Sequence, residues 1–135
     1  TLKIGFNVNG THNVEELVMI GVERDMVPIW MNACTLHLMT SDLEGSPNSI
    51  KECLMCNVPI VSTDVGNVRE MVEAIPGAYV TNSFSEEELA ECVHKVLMAK
   101  EVFEGRKILM AKGYGINEVA EKLVTIYNDV VHNRI

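Results

Sequence analysis

Two glutamates, Glu44 and Glu52, frame the run Gly45-Ser46-Pro47-Asn48-Ser49. A carboxylate is a pure acceptor that can take two hydrogen bonds at once, so each glutamate suits a pair of neighbouring hydroxyls. Between them the residue types announce the start of a helix. Pro47 fits the first helical position, where its missing N–H would have had no partner, and Ser46 reads as the N-cap. The amides of Asn48, Ser49 and Ile50 are then unpaired in the first turn, and together with the helix dipole they favour an anion, phosphate above all. Gly45 removes a side chain where such an anion would approach. Glu52, further along, should sit roughly 7–8 Å down a helix that rises ~1.5 Å per residue. That displacement resembles the step from a diphosphate to the ribose attached to it. Acid, glycine turn, helix start, acid: the order fits a sugar nucleotide, with Glu44 toward the sugar and Glu52 toward the ribose. The same residues also describe a surface helix with two solvated glutamates, and spacing alone does not separate the readings.

Short apolar runs alternating with helical patterns must position this turn, and that alternation is the signature of a parallel sheet covered on both faces. Strands are predicted over 1–6, 16–21, 35–41, 58–64 and 78–81. Helices are predicted over 26–34 with Pro28 in the first turn, 47–56 ended by Asn57, 68–75 stopped by Pro76-Gly77, and 85–100. The helix at 85–100 carries a capping box, Ser85 followed by Glu88, and apolar positions Leu89, Val93, Val96 and Leu97. A last helical region over 106–131 breaks at Gly113-Tyr114-Gly115. The expected architecture is a single α/β domain over 1–135, a three-layer Rossmann-like parallel sheet of about five strands. Ligands of such sheets lie at the C-terminal strand ends. The strands ending at Thr40-Ser41 and Thr63-Asp64 both feed glycine turns, which directs attention to the opening stretch and to Asp64-Val65-Gly66-Asn67. For Asp64 and Gly66, a plain strand-to-helix turn is an equal alternative to a ligand contact.

The chain has 135 residues, enough for one core, with 47% hydrophobic and 22% charged residues, as in ordinary globular proteins. A formal charge of −8 with scattered basic residues argues against nucleic acid. No apolar run reaches the roughly 18–20 residues of a membrane span, and the first residues lack a secretion signal, so the expected location is the cytoplasm. The sequon Asn9-Gly10-Thr11 carries little meaning there. Cys34, Cys53, Cys56 and Cys92 read as buried free thiols, because the Cys53-x-x-Cys56 pair falls in an apolar helix with no second pair. His12, His37, His94 and His132 show no ligand spacing, and no metal site is expected.

The stretch "EGSPNSIKE" resembles the Glu-x7-Glu signature of retaining glycosyltransferases of the GT-B fold. The likeness extends through "VPIWMNACTLHLMTSDLEGSPNSIKECLMCNVPIVSTDVGNVREMV" (27–72), and "EVAEKLVTIYNDV" is similar to the helix that ends the family's donor domain. The resemblance implies that the chain is the donor-binding lobe for a nucleoside-diphosphate sugar. It implies that Glu44 meets hydroxyls of the transferred sugar, Glu52 the ribose, and the amides around Ser46 to Ser49 the diphosphate. Asp64 and Gly66 would belong to a glycine loop beside the donor. Asn67 stands where a second glycine is frequent. The family's Arg and Lys that neutralise the diphosphate have no match, since Lys3 and Arg24 lie in a different context. The N-terminal acceptor-binding lobe is absent, so the chain alone is expected to be inactive. Peripheral membrane association would belong to the parent only, and the fragment is expected to self-associate through exposed edges. The reaction implied is metal-independent sugar transfer with no cofactor, Glu44 placing substrate and not attacking it. A nucleotide-sugar epimerase and a non-catalytic scaffold fragment are the alternatives.

Overall fold

The computed structural model describes residues 3–6 and 15–132; the sequon Asn9-Gly10-Thr11 and His12 lie outside the described residues. Two strands, β1 (Lys3–Phe6) and β2 (Glu15–Val18), form an antiparallel pair with Lys3 opposite Val18. A separate parallel sheet has the order β3 (His37–Met39), β4 (Ile60–Ser62), β5 (Tyr79–Val80). The expectation of about five strands on one sheet is therefore corrected, since the parallel sheet holds three. A parallel pair needs a crossover of a dozen or more residues. The stretch 7–14 is too short for one, and β1 and β2 pair with each other.

Helix α1 (Val27–Asn32) precedes β3, with Pro28 in its first turn. Helices α2 (Asn48–Met55) and α3 (Val68–Val72) are the crossovers from β3 to β4 and from β4 to β5. Further on lie α4 (Glu86–Met98), α5 (Gly105–Ala111) and α6 (Ile116–Val131). Strand β4 shows how the layers form, because successive side chains point to opposite faces. Ile60 packs with Ile50 and Leu54 of α2, Met71 of α3 and Leu109 of α5. Its neighbour Val61 packs with Leu89, Cys92 and Val96 of α4. Helices thus cover both faces of the three-stranded sheet.

Local signals set most helix ends. At the C-terminus of α2, Asn57 takes the left-handed conformation (φ 56°). Its amide bonds to the Leu54 carbonyl at 3.0 Å and that of Val58 to Cys53 at 2.9 Å, the paired closure of a Schellman motif. Asn57 Oδ1 also accepts from the Arg106 amide at 2.9 Å, fastening the start of α5 to the end of α2. Helix α4 begins as expected, the Ser85 hydroxyl accepting from the Glu88 amide. The reciprocal arm differs: the Glu88 carboxylate accepts from the amides of Asn82 at 2.7 Å and Ser83 at 3.0 Å, clasping the loop before the helix. These bonds hold the Glu88 carboxyl below its ordinary range. The buried stripe is Leu89, Cys92 and Val96, while Leu97 is exposed. The break between α5 and α6 falls at Gly113, φ 78°, and Gly115. Helix α3 ends at Val72, three residues short of expectation, and Gly77 (φ 85°) turns the chain toward β5.

The cysteines are all free, but Cys34 is exposed, correcting the expectation of four buried thiols. Cys53 is buried, and its thiol is pushed up to about 12 by burial and by the nearby Cys34, Cys56 and Glu52 charges, which suits packing and opposes thiolate chemistry. Among the described residues, no helix is long and apolar enough to cross a membrane.

Candidate donor site

The C-terminal ends of β3 and β4 each release a loop, and the two loops are tied together. The Thr63 amide bonds to the Met39 carbonyl at 3.1 Å, and its hydroxyl donates to the Ser41 carbonyl at 2.6 Å. Further out, the Asn67 amide donates to the Gly45 carbonyl at 3.1 Å. Between these bonds sits Gly66, left-handed at φ 54°. A Cβ on Gly66 would overlap the Gly45 carbonyl and come within 2.8 Å of the Glu44 carbonyl oxygen. Gly66 is glycine for two independent reasons, backbone angle and space. Asn67, which stands where a second glycine is frequent, has φ −104°, and the left-handed step is made by Gly66.

This contact presents the stretch from Glu44 to Ser49. Glu44 is half-buried and its Oε1 accepts from the Ser41 hydroxyl at 3.0 Å. Gly45 is exposed, and a Cβ there would meet nothing within 4 Å. The protein's own packing thus gives no reason for glycine at 45. The helix start differs by one residue from expectation. Pro47, not Ser46, occupies the N-cap, with extended backbone (φ −64°, ψ 124°), and the helix begins at Asn48. Pro47 is buried, and its extended ψ marks it as the residue just before the first helical turn. No side chain caps this end, so the first-turn amides of Asn48, Ser49 and Ile50 lack an intrahelical partner. Lys51 bends back toward the same loop, its Nζ 3.1 Å from the Ser46 carbonyl and 3.3 Å from Asn48 Oδ1. It is a cation at the helix mouth that sequence reasoning missed.

Glu52 is exposed and lines a cavity of about 310 Å³ with Arg24, Val27, Pro28, Met31 and Met55. Arg24, set aside on sequence context, therefore lines the same cavity as Glu52. Glu44 is not among the residues lining this cavity. Asp64 is held in an ion pair. Its Oδ2 takes the Arg69 Nε at 2.8 Å, and Arg69 Nη2 donates to the Thr81 carbonyl at 2.9 Å beyond β5. Asp64 thus helps Arg69 tie the end of β4 to that of β5. Ser41, Thr63, Lys51, Arg69 and Arg24 were not found from sequence, because their roles come from contacts across loops and carry no local spacing.

Two loops leave the carboxyl ends of neighbouring parallel strands, and one of them opens an uncapped helix between two glutamates, in an α/β domain. The family described as "Glycosyl transferases group 1" matches residues 7–99, more than half of the chain, and the chain belongs to that family. It is also similar to the Vi polysaccharide biosynthesis protein VipC/TviE of Salmonella typhi, 32% identical over 65 residues. That alignment covers 47% of this chain and 11% of the relative's length. No solved structure matches.

Proposed function

We propose that this chain is the lobe that binds the nucleoside-diphosphate sugar in a retaining glycosyltransferase, with the acceptor-binding lobe carried elsewhere in the full protein. The observation that carries this reading is the Gly66–Gly45 contact. It fixes the backbone between Glu44 and the uncapped amides of α2, so a diphosphate can meet main-chain donors without reorganising them. Glu44, held by Ser41, is assigned to hydroxyls of the transferred sugar. Glu52, with its cavity against α1, is assigned to the ribose, the apolar walls at Val27, Pro28 and Met31 suiting the flat faces of a base. Gly45, Ser46, Pro47, Asn48 and Ser49 form the diphosphate cradle, and Asp64 acts through Arg69 on the loop behind it.

In the reaction the bond from the anomeric carbon to the diphosphate oxygen breaks and a bond to an acceptor hydroxyl forms on the same face. The charge gathers on the departing diphosphate, and amides already pointing there lower that barrier. Family membership and the relative named for polysaccharide biosynthesis support a carbohydrate acceptor. The test is calorimetry of the full-length protein with nucleoside diphosphates and their sugars. Glu52→Ala is expected to weaken nucleoside diphosphate binding about ten- to hundredfold, as loss of charge-assisted hydrogen bonds to two hydroxyls should. Unchanged affinity would remove the ribose assignment. Labelled donor supplied without any acceptor should remain unconverted; conversion to an isomer would favour an epimerase.

A further inference from the structure

Lys51 lies in the first turns of α2, and its ammonium group folds back over the helix mouth, 3.1 Å from the Ser46 carbonyl and 3.3 Å from Asn48 Oδ1. The N-terminal end of a helix is the positive end of its dipole, where a cation is disfavoured and an anion favoured. Both groups that hold the ammonium are neutral oxygens. Among the described residues the ion pairs are Asp64–Arg69 and Glu104–Lys107, so no carboxylate there balances this charge. Of the charged residues between 41 and 52, Asp42, Glu44 and Glu52 are acidic and Lys51 alone is basic. An anion entering between the two glutamates would meet a single side-chain cation from this stretch, and that cation stands on the loop leading to the free amides.

We infer that Lys51 is a substrate-binding residue that pairs with the phosphate nearer the sugar. The inference rests on the donor reading above and adds a side-chain cation to a cradle otherwise made of main-chain amides. Position along the cradle selects the phosphate. Glu44 is assigned to the sugar end and Glu52 to the ribose end, and Ser46, whose carbonyl holds the ammonium, lies on the Glu44 side of Pro47. A lysine suits this duty. Its three donors on a flexible stem can leave a neutral carbonyl for a phosphate oxygen, and the bond gained is charge-assisted where the bond lost was not. The anion in turn resolves the conflict at the helix mouth, because it is attracted to the amides and to the ammonium together. The phosphate attached to the ribose is common to nucleoside mono- and diphosphates. A cation at the outer phosphate therefore strengthens binding of the diphosphate alone.

Calorimetry of the full-length protein is the test, using the nucleoside diphosphate that binds the parent most tightly and the matching monophosphate. Thermal unfolding verifies that each variant is folded. Lys51→Met is expected to weaken the diphosphate about tenfold and the monophosphate less than about twofold. Lys51→Gln, which keeps a donor but not the charge, should behave in the same way. Lys51→Arg keeps the charge and should stay within about threefold of the parent. Raising the salt from about 50 to about 500 mM should narrow the gap between the parent and Lys51→Met, because the cation is close to solvent. Equal diphosphate affinity in the parent and in Lys51→Met overturns the inference and leaves the donor reading standing. Equal losses for the two ligands overturn it as well, since they would make Lys51 a strut for the loop. A parent that binds no nucleoside diphosphate refutes the donor reading itself, and the lysine assignment with it.

Discussion

Gly66 and Gly45 are neighbours in space with opposite reasons for being glycine. At Gly66 the backbone is left-handed and the site of a Cβ is filled by the loop carrying Glu44 and Gly45. Gly66→Ala should therefore destabilise the chain by about 2–4 kcal/mol, combining an unfavourable φ with forced displacement of that loop. Thermal unfolding measures this. Gly45 has open space on that side, so Gly45→Ala should leave the unfolding midpoint unchanged while weakening nucleotide-sugar binding about tenfold, if the space is kept for ligand. A Gly45→Ala variant that loses stability, or that binds donor as well as the parent, would contradict this division of roles. The same scale explains Asp64: its carboxylate is engaged by Arg69, which ties the end of β4 to that of β5.

Among the elements, strand β3 is at an edge of its sheet and carries an uneasy residue. His37 shares a face with Met39, which lies in the core against α2 and α3. Its Nε2 is buried without a hydrogen-bond partner, and burial pushes its pKa below the usual 6.5. The folded chain then binds fewer protons than the unfolded chain at mildly acidic pH, so stability is full above pH 6.5 and declines as pH falls below it. The slope should be shallower than the one-proton limit of about 1.4 kcal/mol per pH unit, because the ring is only partly buried. Denaturant unfolding between pH 7 and about 5 measures it, and His37→Phe should flatten that portion of the profile. A slope unchanged by the substitution would place the acid sensitivity in other groups. Strand β4, by contrast, is covered on both faces, with Ile60, Val61 and Ser62 all fully buried, and it sets the position of both site loops.

For the whole molecule, the cores on the two faces of the parallel sheet end at α5, where Leu109 is 1% exposed. Helix α6 stands outside them, contributing no buried residue. A chain ending at Gly115 should therefore unfold within about 1 kcal/mol of the full chain when both are monomeric, since surface elements with no fully buried side chain contribute little. A large loss of stability in chemical denaturation would show that α6 packs on the body in solution. The proposed donor site does not depend on α6, and such a truncation should leave nucleoside diphosphate affinity as it was.

What the sequence determined by itself are the features written within a few residues. These include the helix opened near Pro47 and closed at Asn57, the Ser85 cap, the break at Gly113-Tyr114-Gly115, the alternation of strands with helices, and the family likeness. Each follows from backbone angles and neighbouring hydrogen-bond groups that adjacent residues control. Only the tertiary structure decided that the parallel sheet has three strands and that Gly66 presses on Gly45. The same holds for Arg69 engaging Asp64, for Arg24 lining the same cavity as Glu52, and for α6 contributing no buried side chain among the described residues. Those outcomes depend on which strands pair and in what register, and register is set by packing across the sheet between residues distant in the chain.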